Sequence, residues 1–122
     1  MTEPIHFGQI AVDSEHADRL ARFYGNLLGR PVDPASSEYF ARLPGTTGGE
    51  RPFPTMIFLK VPEPRTTKNR LHLDLFSADR VAAVERAVAL GAIKVGDFAE
   101  YGVEWTTLAD PEGNVFDIGA QH

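Results

Sequence analysis

Ala17-Asp18-Arg19-Leu20-Ala21 recurs as Ala78-Asp79-Arg80-Val81-Ala82, an offset of 61 residues (78 − 17), and Leu28-Gly29 recurs one residue further on as Leu90-Gly91. Each copy follows a strand-like segment and ends in glycine. Ahead of the first, Ile5 to Val12 reads as a strand rich in Ile, Phe and Val. Within it, Ala17, Leu20, Ala21, Tyr24, Leu27 and Leu28 form an apolar face of helical period. Asp13-Ser14 offers an N-cap, Gly29 a left-handed residue past the helix end, and Pro31 blocks continuation. Ahead of the second copy, Leu71, Leu73 and Leu75 alternate with His72, Asp74 and Phe76 along a strand. Ser77 offers the cap there. Val81, Val84, Ala87 and Val88 give the helical face, and Gly91 ends it. Two matches at nearly one offset, in the same strand–helix order, are better explained by duplication than by chance.

Outward from the repeat, Glu38 to Leu43 and Thr55 to Val61 read as strands, separated by a turn-rich loop that includes Pro44 to Gly49. Val103 to Ala109 and Asn114 to Gly119 read as a hairpin closed by Asp110-Pro111-Glu112-Gly113. The expected fold is α+β: one domain over 1–122, with a first module of about 5–62 and a second of about 70–119. Helices Glu15–Leu28 and Ala78–Leu90 are expected to cover the outer sheet faces. Neither half is large enough to hold a core alone, so Pro62 to Asn69 is read as an internal connector.

Composition narrows the function. The 122 residues are 43% hydrophobic and 24% charged, ordinary globular values that exclude disorder. The formal net charge is −5, and Arg65 to Arg70 is the nearest thing to a basic cluster. That balance argues against general binding to nucleic acid or to anionic membranes. With no cysteine, disulfides, thiolate metal sites and cysteine nucleophiles are excluded. Met1-Thr2-Glu3-Pro4 lacks the features of a signal peptide, and no apolar run is long enough to span a bilayer, so a cytoplasmic location is expected. No nucleophile elbow, phosphate loop or HExxH pattern occurs.

Three stretches carry a resemblance. They are Phe7-Gly8-Gln9-Ile10-Ala11-Val12-Asp13 leading to Leu27-Leu28-Gly29, then Lys68-Asn69-Arg70-Leu71-His72-Leu73-Asp74-Leu75, and last Trp105 through Asp110-Pro111-Glu112-Gly113-Asn114 to Asp117. Together the chain resembles the vicinal-oxygen-chelate superfamily, which holds glyoxalase I, extradiol dioxygenases and bleomycin-resistance proteins, and within it the glyoxalase-like branch. The resemblance implies paired βαβββ modules whose strands form a curved mixed sheet around a cleft, with helices outside. It also implies a homodimer and a small-molecule substrate or ligand.

Residue by residue, the resemblance places Gln9 at the first-strand ligand position, His72 at the matching position of the second half, and Asp117 at the last-strand position. Gln9, His72 and Asp117 are then the implied ligands of a divalent metal (Zn, Ni, Mn or Fe), with His72 also the catalytic acid or base. Each has a plainer reading. Gln9 is a cleft hydrogen-bonding group, His72 a structural histidine, and Asp117 an inward carboxylate paired with His72 or Gln9. Asp74 shares the His72 face, as a partner of that histidine or as a polar group of the cleft. Where relatives carry a further Glu ligand, Phe58 stands, sharing one face with Met56 and Lys60. Phe58→Glu is therefore expected to strengthen metal binding. Phe40, Phe58, Lys60 and Trp105 are the expected substrate-binding residues, and Phe116 lines the cleft or fills the core. His6, His16 and His122 have no comparable placement. Two functions stay open: a metal-dependent lyase, isomerase or dioxygenase acting on a small oxygenated substrate, and a metal-free small-molecule or drug-binding protein.

Overall fold

The computed structural model describes residues 3–120, and His122 lies outside them. The chain divides into two compact units at Val61/Pro62. The first contains β1 (Ile10–Ser14), α1 (Ala17–Leu28), β2 (Phe40–Leu43) and β3 (Met56–Lys60), in a mixed sheet of order β1-β3-β2. The second contains β4 (Asp74–Ser77), α2 (Arg80–Ala89), β5 (Ile93–Glu100), β6 (Val103–Ala109) and β7 (Val115–Ala120), in the order β4-β7-β6-β5. In both, the first strand runs parallel to the last, and the strand before the last joins antiparallel on its other side. The two units thus share one plan, as the letter repeat implies. The first is a strand short, βαββ instead of βαβββ. Its turn-rich loop is closed by hydrogen bonds such as Phe53 N–H to Thr46 Oγ1, at 3.0 Å, instead of by a ladder.

Local signals set the helices, with corrections at their starts. Gly29 takes φ 68° and its N–H bonds the Gly25 carbonyl, as expected of a left-handed residue after α1. Gly91 also has positive φ. Ser14 and Ser77, read as caps, instead end β1 and β4, and each hydroxyl organises the next turn. Ser14 Oγ accepts from His16 N–H, and Ser77 Oγ accepts from Asp79 N–H. The N-cap residues are His16 and Asp79, the latter accepting from Ala82 N–H at 3.1 Å. Beside His16, burial acts to raise the Asp18 pKa, but Arg22 and His16 outweigh it and hold the carboxyl below its ordinary value.

Strand pairing fixes which face each side chain takes, because directly paired residues share a face. In the first sheet, Phe58 pairs with Val12 and Ala41, and Met56 with Ile10 and Leu43. This is the face under α1, whose Tyr24 ring stacks on Phe58 at 6.1 Å. Ala17, Leu20, Ala21, Phe23, Tyr24, Ala41, Leu43, Met56 and Phe58 form its core, all at most 4% exposed. In the second sheet, Leu108, Phe116 and Ile118 are buried beneath α2, with the Thr106 hydroxyl bonded to Arg80. The α2 face is less covered than its periodicity suggests. Val84 and Ala87 are buried, while Val81 and Val88 are exposed. Leu73 and Leu75 are half-buried as expected, but Leu71 precedes β4 and is exposed. Strand β5 was not expected from the pattern. It is an edge strand with exposed residues on both faces and a register irregularity at Lys94/Gly96, so no clean alternation marks it. Among the described residues, no helix is long and apolar enough to cross a membrane.

Gly25 shows how tightly α1 is seated. A Cβ built there would stand 2.7 Å from the Arg30 carbonyl oxygen and 3.2 Å from Leu43. Alanine normally improves a helix by about 1 kcal/mol over glycine. Here the obstacle is backbone, so overpacking of about 1–3 kcal/mol should win. Gly25→Ala is expected to lower the urea midpoint of unfolding, and a raised midpoint would contradict this packing.

Candidate functional site

The open face of the second sheet carries two parallel rows. Asp74 of β4 pairs with Asp117 of β7, which pairs with Thr107 of β6. Two residues along each strand, Phe76 pairs with Gly119, which pairs with Trp105. An acidic row thus lies beside an aromatic row with a glycine at its centre. His72, two residues before Asp74, joins the acidic row. Its Nε2 is 3.2 Å from Asp74 Oδ1 and 3.4 Å from Asp117 Oδ2. One ligand atom from each of the three residues lies within 4.8 Å of the others. A cleft of about 340 Å³ opens here, lined by His72, Asp74, Phe76, Trp105, Asp117 and Gly119 among others.

Two supporting devices hold these groups together. The Asn69 side chain acts as a missing strand partner. Its Oδ1 accepts from Val115 N–H at 2.8 Å, and its Nδ2 donates to the Val115 and Leu71 carbonyls. That clamp ties the segment carrying His72 to the start of β7. At the hairpin, Asp110 Oδ1 accepts from Glu112 and Asn114 N–H groups, closing the turn that delivers β7. No periodicity or spacing in the sequence singles out Asn69. A connector asparagine just ahead of a strand is the signal that could have marked it.

The other expected site residues fall as follows. Gln9 is exposed in the first unit, one residue before β1. Asp74 completes the group gathered in the second unit, as a partner of His72 at the cleft. Trp105 is half-buried in the cleft and stacks on Phe98 with centroids 5.7 Å apart. Phe40 is 42% exposed on the open face of the first sheet. Lys60 is held by Glu38, Nζ to Oε2 at 3.2 Å, and lies over the Tyr39 ring. Phe58 requires correction. It is 0% exposed in the core beneath α1, where no substrate can touch it. The position facing away from α1 is therefore Ile57 or Leu59, both aliphatic, so β3 still supplies no carboxylate. Phe116 is 1% exposed and belongs to the core. His16 pairs with Asp18 at 2.8 Å, and His6 is exposed.

The model of the glyoxalase-like domain family matches residues 9–119. The chain belongs to this family. Among solved structures, the glyoxalase-like chain is similar to a glyoxalase/bleomycin resistance protein/dioxygenase family enzyme from Burkholderia phytofirmans. That match has 21% identity and a TM-score of 0.72, covering 93% of this chain and 96% of that one. A hypothetical protein from S. aureus aligns with a TM-score of 0.74 at 14% identity, over 98% and 96% of the two chains. Lactoylglutathione lyase from Agrobacterium tumefaciens aligns with a TM-score of 0.64 at 14% identity, over 97% and 95%. At these identities the likeness speaks for the fold alone. No curated protein matches. Membership of the glyoxalase-like domain family places this chain in the vicinal-oxygen-chelate superfamily.

Proposed function

We propose that this glyoxalase-like protein holds a divalent metal through His72, Asp74 and Asp117 and acts on a small oxygenated substrate as a lyase, isomerase or dioxygenase. The observation that carries this reading is the in-register pair Asp74–Asp117 with the His72 imidazole against both. Two carboxylates facing each other across a strand pair are mutually unfavourable, and a cation between them reverses the sign. One imidazole nitrogen and two carboxylate oxygens form a donor set suited to Mn, Fe or Zn, with coordination positions left for substrate. A metal bound there supplies Lewis acidity toward substrate oxygen atoms. The chain itself contributes orientation. The exposed Phe76 and the half-buried Trp105 wall the cleft beside the acidic row and bind the apolar part of a substrate. His72 directs Nε2 at the carboxylates, so in the loaded site that nitrogen is committed. Proton movement then falls to the free oxygen of Asp74, the most exposed member of the group.

The second reading, ligand binding without turnover, is favoured by the aromatic row of Phe76 and Trp105. Calorimetric titration of untagged protein with Mn²⁺, Fe²⁺, Zn²⁺ and Ni²⁺ tests the choice. One ion bound per chain is expected. Trp105 is the only tryptophan, so its fluorescence reports from the cleft and should be quenched by Mn²⁺. No heat and no quenching with any of the four ions would leave the metal-free reading.

A further inference from the structure

We infer that Thr107 is a positioning residue that sets which oxygen of Asp117 faces the metal, an inference that rests on the metal reading above. Thr107 is the β6 partner of Asp117, directly opposite it in the ladder. Its Oγ1–H donates to Asp117 Oδ1 at 2.6 Å. The other oxygen, Oδ2, is the one 3.4 Å from His72 Nε2. The carboxylate is thus divided, one oxygen tied sideways to β6 and the other presented to the cleft.

Three features make this more than a chance contact. The bond is short and ends on a carboxylate, the stronger class of hydroxyl hydrogen bond. Threonine is branched at Cβ, so its hydroxyl direction is restricted and the acceptor is held with it. The third is the layout of the row. Asp117 lies between β4 and β6, with a like charge, Asp74, on one side and Thr107 on the other. A carboxylate without the Thr107 hydrogen bond could rotate about χ2 and exchange its two oxygens. Fixing the rotation before the ion arrives removes an ordering cost from binding, which is how groups behind metal ligands raise affinity.

The test compares Thr107→Val, Thr107→Ala and Thr107→Ser with the parent protein, by calorimetric titration with Mn²⁺ and by thermal unfolding of the metal-free proteins. Valine keeps the branched shape and the strand preference while removing the donor. Thr107→Val is expected to weaken Mn²⁺ binding by roughly 10–100-fold while the unfolding midpoint of the metal-free protein stays near the parent's. Thr107→Ser keeps the donor and should restore affinity to within a few-fold. Thr107→Ala should match valine. Parental affinity in both Thr107→Val and Thr107→Ala would overturn the positioning role while leaving the metal reading intact. A loss in Thr107→Ser equal to that in Thr107→Val would also overturn it, since the donor would then not be what matters. Absence of Mn²⁺ binding by the parent would overturn the metal reading and this inference with it.

Discussion

Phe58→Glu is expected to unfold the first unit instead of completing a metal site. Phe58 is fully buried, paired with Val12 and Ala41 across the sheet and stacked on Tyr24. Truncating such a phenylalanine to alanine costs about 3–5 kcal/mol. Glutamate removes the same ring contacts and adds a carboxylate with no charged partner in an apolar pocket, so the loss should exceed that of alanine. Against a total stability of about 5–15 kcal/mol for a small domain, either change is severe. Urea unfolding followed by circular dichroism measures it, with Phe58→Leu as a milder control that keeps most of the volume. A Phe58→Glu protein unfolding at the parent's midpoint would show that this side chain is not in the core. A carboxylate meant for the other face of β3 belongs at Ile57 or Leu59.

His72→Ala and Asp117→Asn are each expected to abolish divalent-ion binding, a loss beyond the roughly 100-fold that removing a merely supporting partner produces. The imidazole is the only nitrogen donor in the group, and Asp117 is its least exposed carboxylate, with a side chain 19% exposed against 56% for Asp74. Asp74→Asn should weaken binding less, because its carboxylate is the more solvated of the two. Titration with Mn²⁺ and Zn²⁺ orders the three variants, and thermal unfolding confirms that each remains folded. Gln9→Ala, at an exposed position of the first unit, is the control and is expected to bind as the parent does. Asp74→Asn binding Mn²⁺ as tightly as the parent would remove Asp74 from the ligand set.

Sequence alone determined what depends on neighbours along the chain. Apolar spacing and terminal glycines marked both helices, because helix periodicity and left-handed caps are properties of a few consecutive residues. The repeat announced a common plan for the two halves, and alternation already put Asp74 on the His72 face. It also put Met56, Phe58 and Lys60 together. Which side of the sheet that shared face meets was not legible, because parity along a strand says nothing of where the helix packs. Only the pairing of β3 with β1 and β2 beneath α1 turned Phe58 into a core residue. The same holds for the site. Asp74 and Asp117 are 43 residues apart (117 − 74), and they become opposite neighbours only through the parallel ladder of β4 and β7. Thr107 reaches Asp117 only through the register of β6. Residue types and spacing set the local elements, whereas long-range strand register, which no local preference encodes, decided that one histidine, two carboxylates and a hydroxyl meet on one open face.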